Sequence, residues 1–283
     1  MNGTFQESHA DADRHVSRQD WQSVYQSDPD AMPSQCPEWA DALTCTGRWR
    51  VATRMFVTPE SRRIVLPLAR VGFPGVAGEM SMARHWGYGG LLAEGGVTAD
   101  DVAFVVRHLT MSGLAYFRIR PNPLQAPLWR DVAPAMRRVE RTSQLIDLRG
   151  GVDAMKARFG SSAWTGIKRA VKAGVRIETA SSGKLLPEFF SLAHKERRHW
   201  ATRQHEPQWL AQMRYRMVDG ESKWQRVASH LGERFRVTIA WHGEKPAAAG
   251  IVKLVPHTGV LAATAARSPD ASPKKLMSDI PAK

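Results

Sequence analysis

Twice the chain sets out one layout: a strand, a short polar turn and a returning strand. The first copy is RWRVATRMFV at 48–57, the turn Thr58-Pro59-Glu60-Ser61, and IVLPLARV at 64–71. The second is FRVTIAW at 235–241, the turn His242-Gly243-Glu244-Lys245-Pro246, and a strand over 247–255. Alternating apolar residues bounded by turn residues mark strands, and Pro67 marks an edge or a bulge. Helices surround both copies. One opens at Thr98, which caps it ahead of Asp100 and Asp101, and buries Val102, Val105, Val106 and Leu109. Strands are expected at 114–120 and 139–148. A helix over 163–173 sets Trp164, Ile167 and Val171 on one side, and a longer one over 186–203 buries Phe189, Phe190, Ala193 and Trp200. Helices follow with Trp209, Leu210, Met213 and Met217, then with Trp224, Val227, Ala228 and Leu231. Residue identities do not repeat, but the order does. The spacing predicts two tandem α/β domains with mixed central sheets flanked by helices.

The length fits, because 283 residues is close to twice a typical domain of about 150. We expect a disordered acidic tail at 1–19, a first domain at 20–148 and a second at 149–283. Only 28 residues follow the second hairpin, against 77 after the first up to residue 148. The last of them are polar and Pro-rich, so the second domain is expected to lack its C-terminal helix–strand portion. An unpaired strand edge would remain.

A hydrophobic content of 43% supports packed cores and excludes a wholly disordered or collagen-like chain. Two cysteines, Cys36 and Cys45, cannot staple a fold of this size, which points to a reducing, cytoplasmic setting. No apolar run approaches the ~20 residues that span a bilayer, and the polar N-terminus does not read as a secretory signal. Charge is the strongest compositional signal. The net value is +13, yet residues 1–47 carry −6 and residues 149–236 carry +10. A local excess of that size concentrates anions. Coenzyme A, tRNA, a lipid phosphate and an anionic membrane face are the candidate partners, against the plain alternative of a solvated surface.

Particular residues carry a family resemblance. Leu145-Ile146-Asp147-Leu148 is followed by Phe159-Gly160-Ser161-Ser162 and then by Ile167-Lys168-Arg169-Ala170-Val171-Lys172-Ala173-Gly174-Val175. With the hairpin VTIAWHGEKPAAAGIV at 237–252, this resembles the GNAT-fold, FemAB-like acyltransferases of bacteria. Pro37-Glu38-Trp39, Trp86-Gly87-Tyr88-Gly89-Gly90 and Arg118-Ile119-Arg120-Pro121-Asn122-Pro123 fit more loosely. The resemblance covers about 36–255, most specifically 142–252, and departs after His257, as an early stop or a changed reading frame would make it do. It implies tandem GNAT-like domains and transfer of an acetyl, acyl or aminoacyl group from acyl-CoA or aminoacyl-tRNA to an amine. The acceptor would be a small molecule or a peptidoglycan precursor, in cell-envelope metabolism. The alternative is an inactive, truncated remnant or an anion-binding protein.

Such chemistry rests on positioning and backbone electrostatics, so no conspicuous triad is expected and the catalytic base stays open. Lys168, Arg169 and Lys172, within one and a half helical turns, and Arg176 on the next strand are the candidates for donor phosphates. Trp39, Trp86, Tyr88, Arg118 and Arg120 are the candidates for an acceptor groove. Gly89-Gly90 and Gly95-Gly96 precede a helix, as phosphate loops do, although ordinary turns have the same glycines. The histidines show no metal-ligand spacing, so no metal is expected. Neither cysteine has a base nearby in sequence.

Overall fold

The computed structural model describes residues 14–71, 78–83, 85–112, 116–132, 136–144, 150–254 and 259–266. Expectations for residues 1–13, 145–148 and 267–283 lie outside them. The chain forms two compact units. The first combines residues 1–137 with Ser222–Arg234 and Lys253–Val260; the second combines Arg138–Glu221, Phe235–Val252 and Leu261–Lys283.

The first unit opens with β1 (Arg14–His15), α1 (Arg18–Ser27), a 3-10 turn at Pro33–Gln35 and α2 (Pro37–Thr44). The first hairpin then breaks in both arms. It becomes β2 (Trp49–Val51), β3 (Arg54–Val57), β4 (Arg63–Leu66) and β5 (Ala69–Val71). Pro67 supplies no N–H to the ladder, so the second arm cannot run through it. The halves enter different sheets: β3 pairs β4, and β2 pairs β5, both antiparallel. A backbone bond from Ala52 to Leu68, 2.8 Å, spans the break. β6 (Gly78–Met80), β7 (Leu92–Ala93), α3 (Ala99–Met111), β8 (Tyr116–Arg118) and α4 (Ala126–Val132) complete the run. The sheets order as β1-β3-β4-β7 and β2-β5-β6-β8, with β6 and β8 parallel. Residues 137–144 form no strand, although one was expected from 139.

The core gathers Phe56, Ile64, Leu66, Leu68 and Leu91 with Val102, Val105 and Leu109 of α3 and Trp129 of α4. Thr98 caps α3 by accepting the Asp101 N–H at 3.2 Å, while the Asp101 carboxylate accepts the Thr98 N–H at 2.9 Å. Arg62 forks onto the same carboxylate at 2.9 and 3.0 Å, so a buried acid keeps a full set of donors. Glu79, 1% exposed, joins the two sheets by pairing with Arg54 and Arg70.

The second unit begins with α5 (Gly151–Arg158), α6 (Ser161–Lys172), β9 (Arg176–Ser181), α7 (Leu186–Arg203) and α8 (Gln208–Asp219). Then come α9 (Glu221–Leu231), nearly all of it clustered with the first unit, and β10 (Phe235–His242), β11 (Lys245–Leu254) and β12 (Gly259–Ala266). One sheet runs β12-β11-β10-β9, so a strand follows the second hairpin and lies beside β11. β9 pairs antiparallel with β10, Ile177 facing Ala240. Phe189, Phe190, Leu192 and Ala193 of α7 are buried, but Trp200 is 48% exposed, as its place near the helix end allows. The structure is thus mixed α/β, with several sheets flanked by helices.

Candidate functional site

In the first unit, the segment from 85 to 90 is held by its own backbone. Ser34 Oγ donates to the Tyr88 carbonyl at 2.6 Å and accepts the Tyr88 N–H at 3.0 Å. Gln35, fully buried, donates to the carbonyls of Gly90 and Leu91. Gly89 donates to the Arg120 carbonyl at 2.8 Å and bridges Pro121. A Cβ at Gly89 would meet the Ser81 carbonyl oxygen, so only glycine lets these two segments approach. Of the two readings of these glycines, the ordinary-turn one describes them, not the phosphate loop. The N–H groups of Gly89, Gly95 and Gly96 already donate to Arg120, Ser27 and Ala93. They serve turns and close packing.

Four of the five acceptor-groove candidates meet on this loop and its neighbours. Trp39 of α2 and Trp86 pack edge to face at 6.0 Å, both buried. The Arg120 guanidinium lies 5.0 Å from the centre of the Tyr88 ring. Arg118 stands at the end of β8 with an exposed side chain, and its carbonyl accepts the Ser81 N–H at 2.8 Å.

Two lysines join the aromatic cluster that sequence reasoning missed. Lys253 of β11, 4% exposed, sets its ammonium 4.2 Å from the Trp39 ring centre. Lys223 of α9, 7% exposed, lies 5.2 Å from Trp86 and 4.9 Å from Trp224, and donates to the His85 carbonyl at 2.5 Å. A desolvated ammonium over an indole face is held by the ring quadrupole. A signal existed for one of them. Ala249, Ile251 and Lys253 alternate along one strand, so Lys253 shares the face of two apolar residues.

Beside this cluster lies an ionisable group. Arg234 approaches Glu38 at 3.2 Å. Burial opposes ionisation of Glu38, but hydrogen bonds from its own N–H, Cys36 and Arg234 hold its carboxyl below the usual range. Burial, reinforced by Glu38, pushes the Cys36 thiol up to about 12, and burial also raises the Tyr25 hydroxyl. Cys45 is different. It is exposed, and its Sγ lies 3.8 Å from His230 Nε2, a partner 185 residues away. His230 Nδ1 contacts the Arg226 carbonyl at 2.8 Å. With the proton on Nδ1, the far nitrogen would face the thiol as an acceptor.

The four phosphate candidates belong to the second unit. Lys168, Arg169 and Lys172 are exposed on α6, where they flank an apolar side formed by Trp164, Ile167 and Val171. Arg176, also exposed, pairs with Glu178 at 3.3 Å and lies 5.6 Å from the Trp241 ring. Among the described residues, no group of three or more metal-ligating side chains stands together, and no helix is long and apolar enough to cross a membrane.

No protein-family model matches the chain, and no curated protein matches it by sequence. Solved structures do match. The crystal structure of FemX aligns with a TM-score of 0.58 at 9% identity, over 94% of this chain and 83% of that one. A C-terminal DUF2156 domain of a putative lysylphosphatidylglycerol synthetase from Agrobacterium fabrum gives 0.39 at 11% identity, over 93% and 72%. A conserved protein of unknown function from Bacteroides thetaiotaomicron gives 0.47 at 10%, over 92% and 80%. The chain is therefore similar to FemX in fold, an α/β architecture shared over nearly its whole length.

Proposed function

We propose that the protein is an acyl-group transferase that moves an acyl or aminoacyl group onto an amine. The fold shared with FemX over 94% of the chain carries this reading, because it is the fold that the FemAB-like resemblance implies. In the reaction the amine nitrogen attacks the acyl carbon. The thioester or ester bond to the donor breaks, and the amine loses a proton to a base or to water. Trp39, Trp86, Tyr88, Arg118 and Arg120 would bind the acceptor, the arginines favouring an anionic one such as a peptidoglycan precursor. Lys168, Arg169, Lys172 and Arg176 would bind the phosphates of aminoacyl-tRNA or acyl-CoA. An anion-binding protein without turnover is the second reading, since exposed cations hold phosphate whether or not chemistry follows.

Thermal unfolding with and without each donor tests the proposal. A ligand at one hundred times its Kd, bound only by the native state, raises stability by about 2.7 kcal/mol. We expect an upward shift with aminoacyl-tRNA or acetyl-coenzyme A, and transfer to an amine in the same mixture. The triple change K168E/R169E/K172E should abolish the shift while leaving the unliganded melt in place. A shift without transfer would favour the second reading. No shift with either donor would count against both.

A further inference from the structure

The helices α5 and α6 together bury no residue. They are nevertheless fixed to each other: Trp164 Nε1 donates to the Lys156 carbonyl at 3.0 Å, and the Trp164 and Phe159 rings lie 6.2 Å apart. At 100° per residue, Ala163, Trp164, Ile167, Ala170 and Val171 fall on one side of α6. Ser161, Thr165, Lys168, Arg169 and Lys172 fall on the other. The division is clean, yet the apolar side faces water, with Ile167 44% and Val171 70% exposed. An amphipathic helix in a water-soluble core hides that side. Arg158 of α5 adds another exposed cation next to it, while Lys156, also exposed, pairs with Asp153 at 3.1 Å.

We infer that α5 and α6 form a docking surface for an anionic lipid bilayer, with the apolar side of α6 sunk among the acyl chains and the cations at headgroup level. The composition fits that medium. A helix lying in a bilayer interface pairs a Trp-bearing apolar face with Lys and Arg on its polar face, and anionic headgroups supply the countercharge. A soluble phosphate ligand would engage the cations but leave the apolar side wet. The inference rests on the reading that Lys168, Arg169 and Lys172 meet phosphate, and it assigns that phosphate to a lipid surface.

The test is co-sedimentation of the full chain with vesicles of phosphatidylcholine, with and without phosphatidylglycerol, at two salt concentrations. Binding is expected only with phosphatidylglycerol, and weaker at high salt. The change I167S/V171S should lower the partition coefficient about tenfold or more, because both side chains would leave the acyl region. K168E/R169E/K172E should lower it more than a hundredfold, since each cation near the surface contributes about fivefold. All these positions are exposed, and an unchanged melting curve for each variant excludes misfolding. No binding to phosphatidylglycerol overturns the inference, and so does binding that ignores the apolar change. If the wild type binds tRNA but not vesicles, and only the charge reversal matters, the phosphate reading survives and the lipid assignment falls. If vesicle binding holds while donor binding survives the charge reversal, the donor role falls and the membrane surface stands. Self-association that I167S/V171S abolishes, without vesicle binding, would assign the face to a second copy and overturn the inference.

Discussion

Lys253 and Cys36 show how far the environment of a residue outruns its identity. In the sequence Lys253 is one of eleven lysines. In the structure it is nearly sealed from water against Trp39. The two cysteines separate in the same way. Cys36 is fully buried with its thiol held protonated by its surroundings, while Cys45 is exposed. We therefore expect a thiol reagent at neutral pH to modify one cysteine per native chain, located to Cys45 by peptide mapping, and two in denaturant. Labelling of native Cys36 would contradict its burial. Sequence distance hid His230 from Cys45, because no local pattern links residues so far apart. Trp39, Trp86, Tyr88 and Arg120 could be singled out because aromatic and basic residues cluster there among glycines and prolines. That the first two pack together, and the last two together, required the fold.

Elements were legible where their signals were local. The Thr98 cap, the acidic first turn and the apolar stripe of α3 lie within a dozen residues, and the helix forms with Val102, Val105 and Leu109 buried and Val106 half-buried. Replacing Asp101 with Ala removes the cap partner and the carboxylate that Arg62 forks. We expect a loss of about 3 kcal/mol, measured by urea unfolding. Gly89→Ala should also destabilise the first unit, by about 1–3 kcal/mol, because its Cβ would meet backbone rather than a yielding side chain. Helix α1 was missed, although Ser17 caps it and Trp21, Val24 and Tyr25 form a buried stripe at helical spacing. The acidic, polar N-terminal stretch masked that pattern. The broken hairpin was half legible: Pro67 marked the interruption, but the exchange of sheets depends on tertiary pairing. Helix α8 turned out otherwise than a core helix would. Trp209, Met213 and Met217 recur every fourth residue, yet all three are exposed. Periodicity shows that a helix has an apolar side, and leaves open whether the protein covers it.

At the scale of the molecule, charge and acidity act on the second unit. His194 sits against Phe190 and Tyr215, and burial, with Arg197 beside it, lowers its pKa. The native state thus prefers the neutral ring, while the unfolded chain takes its proton near pH 6.5. Stability from this group is complete above that value and is lost as the pH falls through the lower native one. The midpoint of unfolding of the second unit should drop between pH 7.5 and 5.5, and His194→Phe should flatten that dependence. The α/β class could be read from the order of helices and strands, and the similarity to FemX extends it to a whole architecture.

The composition of the first unit also sets a schedule. Residues 1–137 are completed by Ser222–Arg234 and Lys253–Val260, so the indole of Trp39 waits for an ammonium encoded 214 positions later. At a synthesis rate of about 5–20 residues per second, that interval is roughly 10–40 s. During it the nascent N-terminal half leaves the ribosome without α9 and the end of β11, and its closing contacts wait for both. A chaperone that shields Trp39 and Trp86 in that window would have its binding site erased by the arrival of α9 and β11.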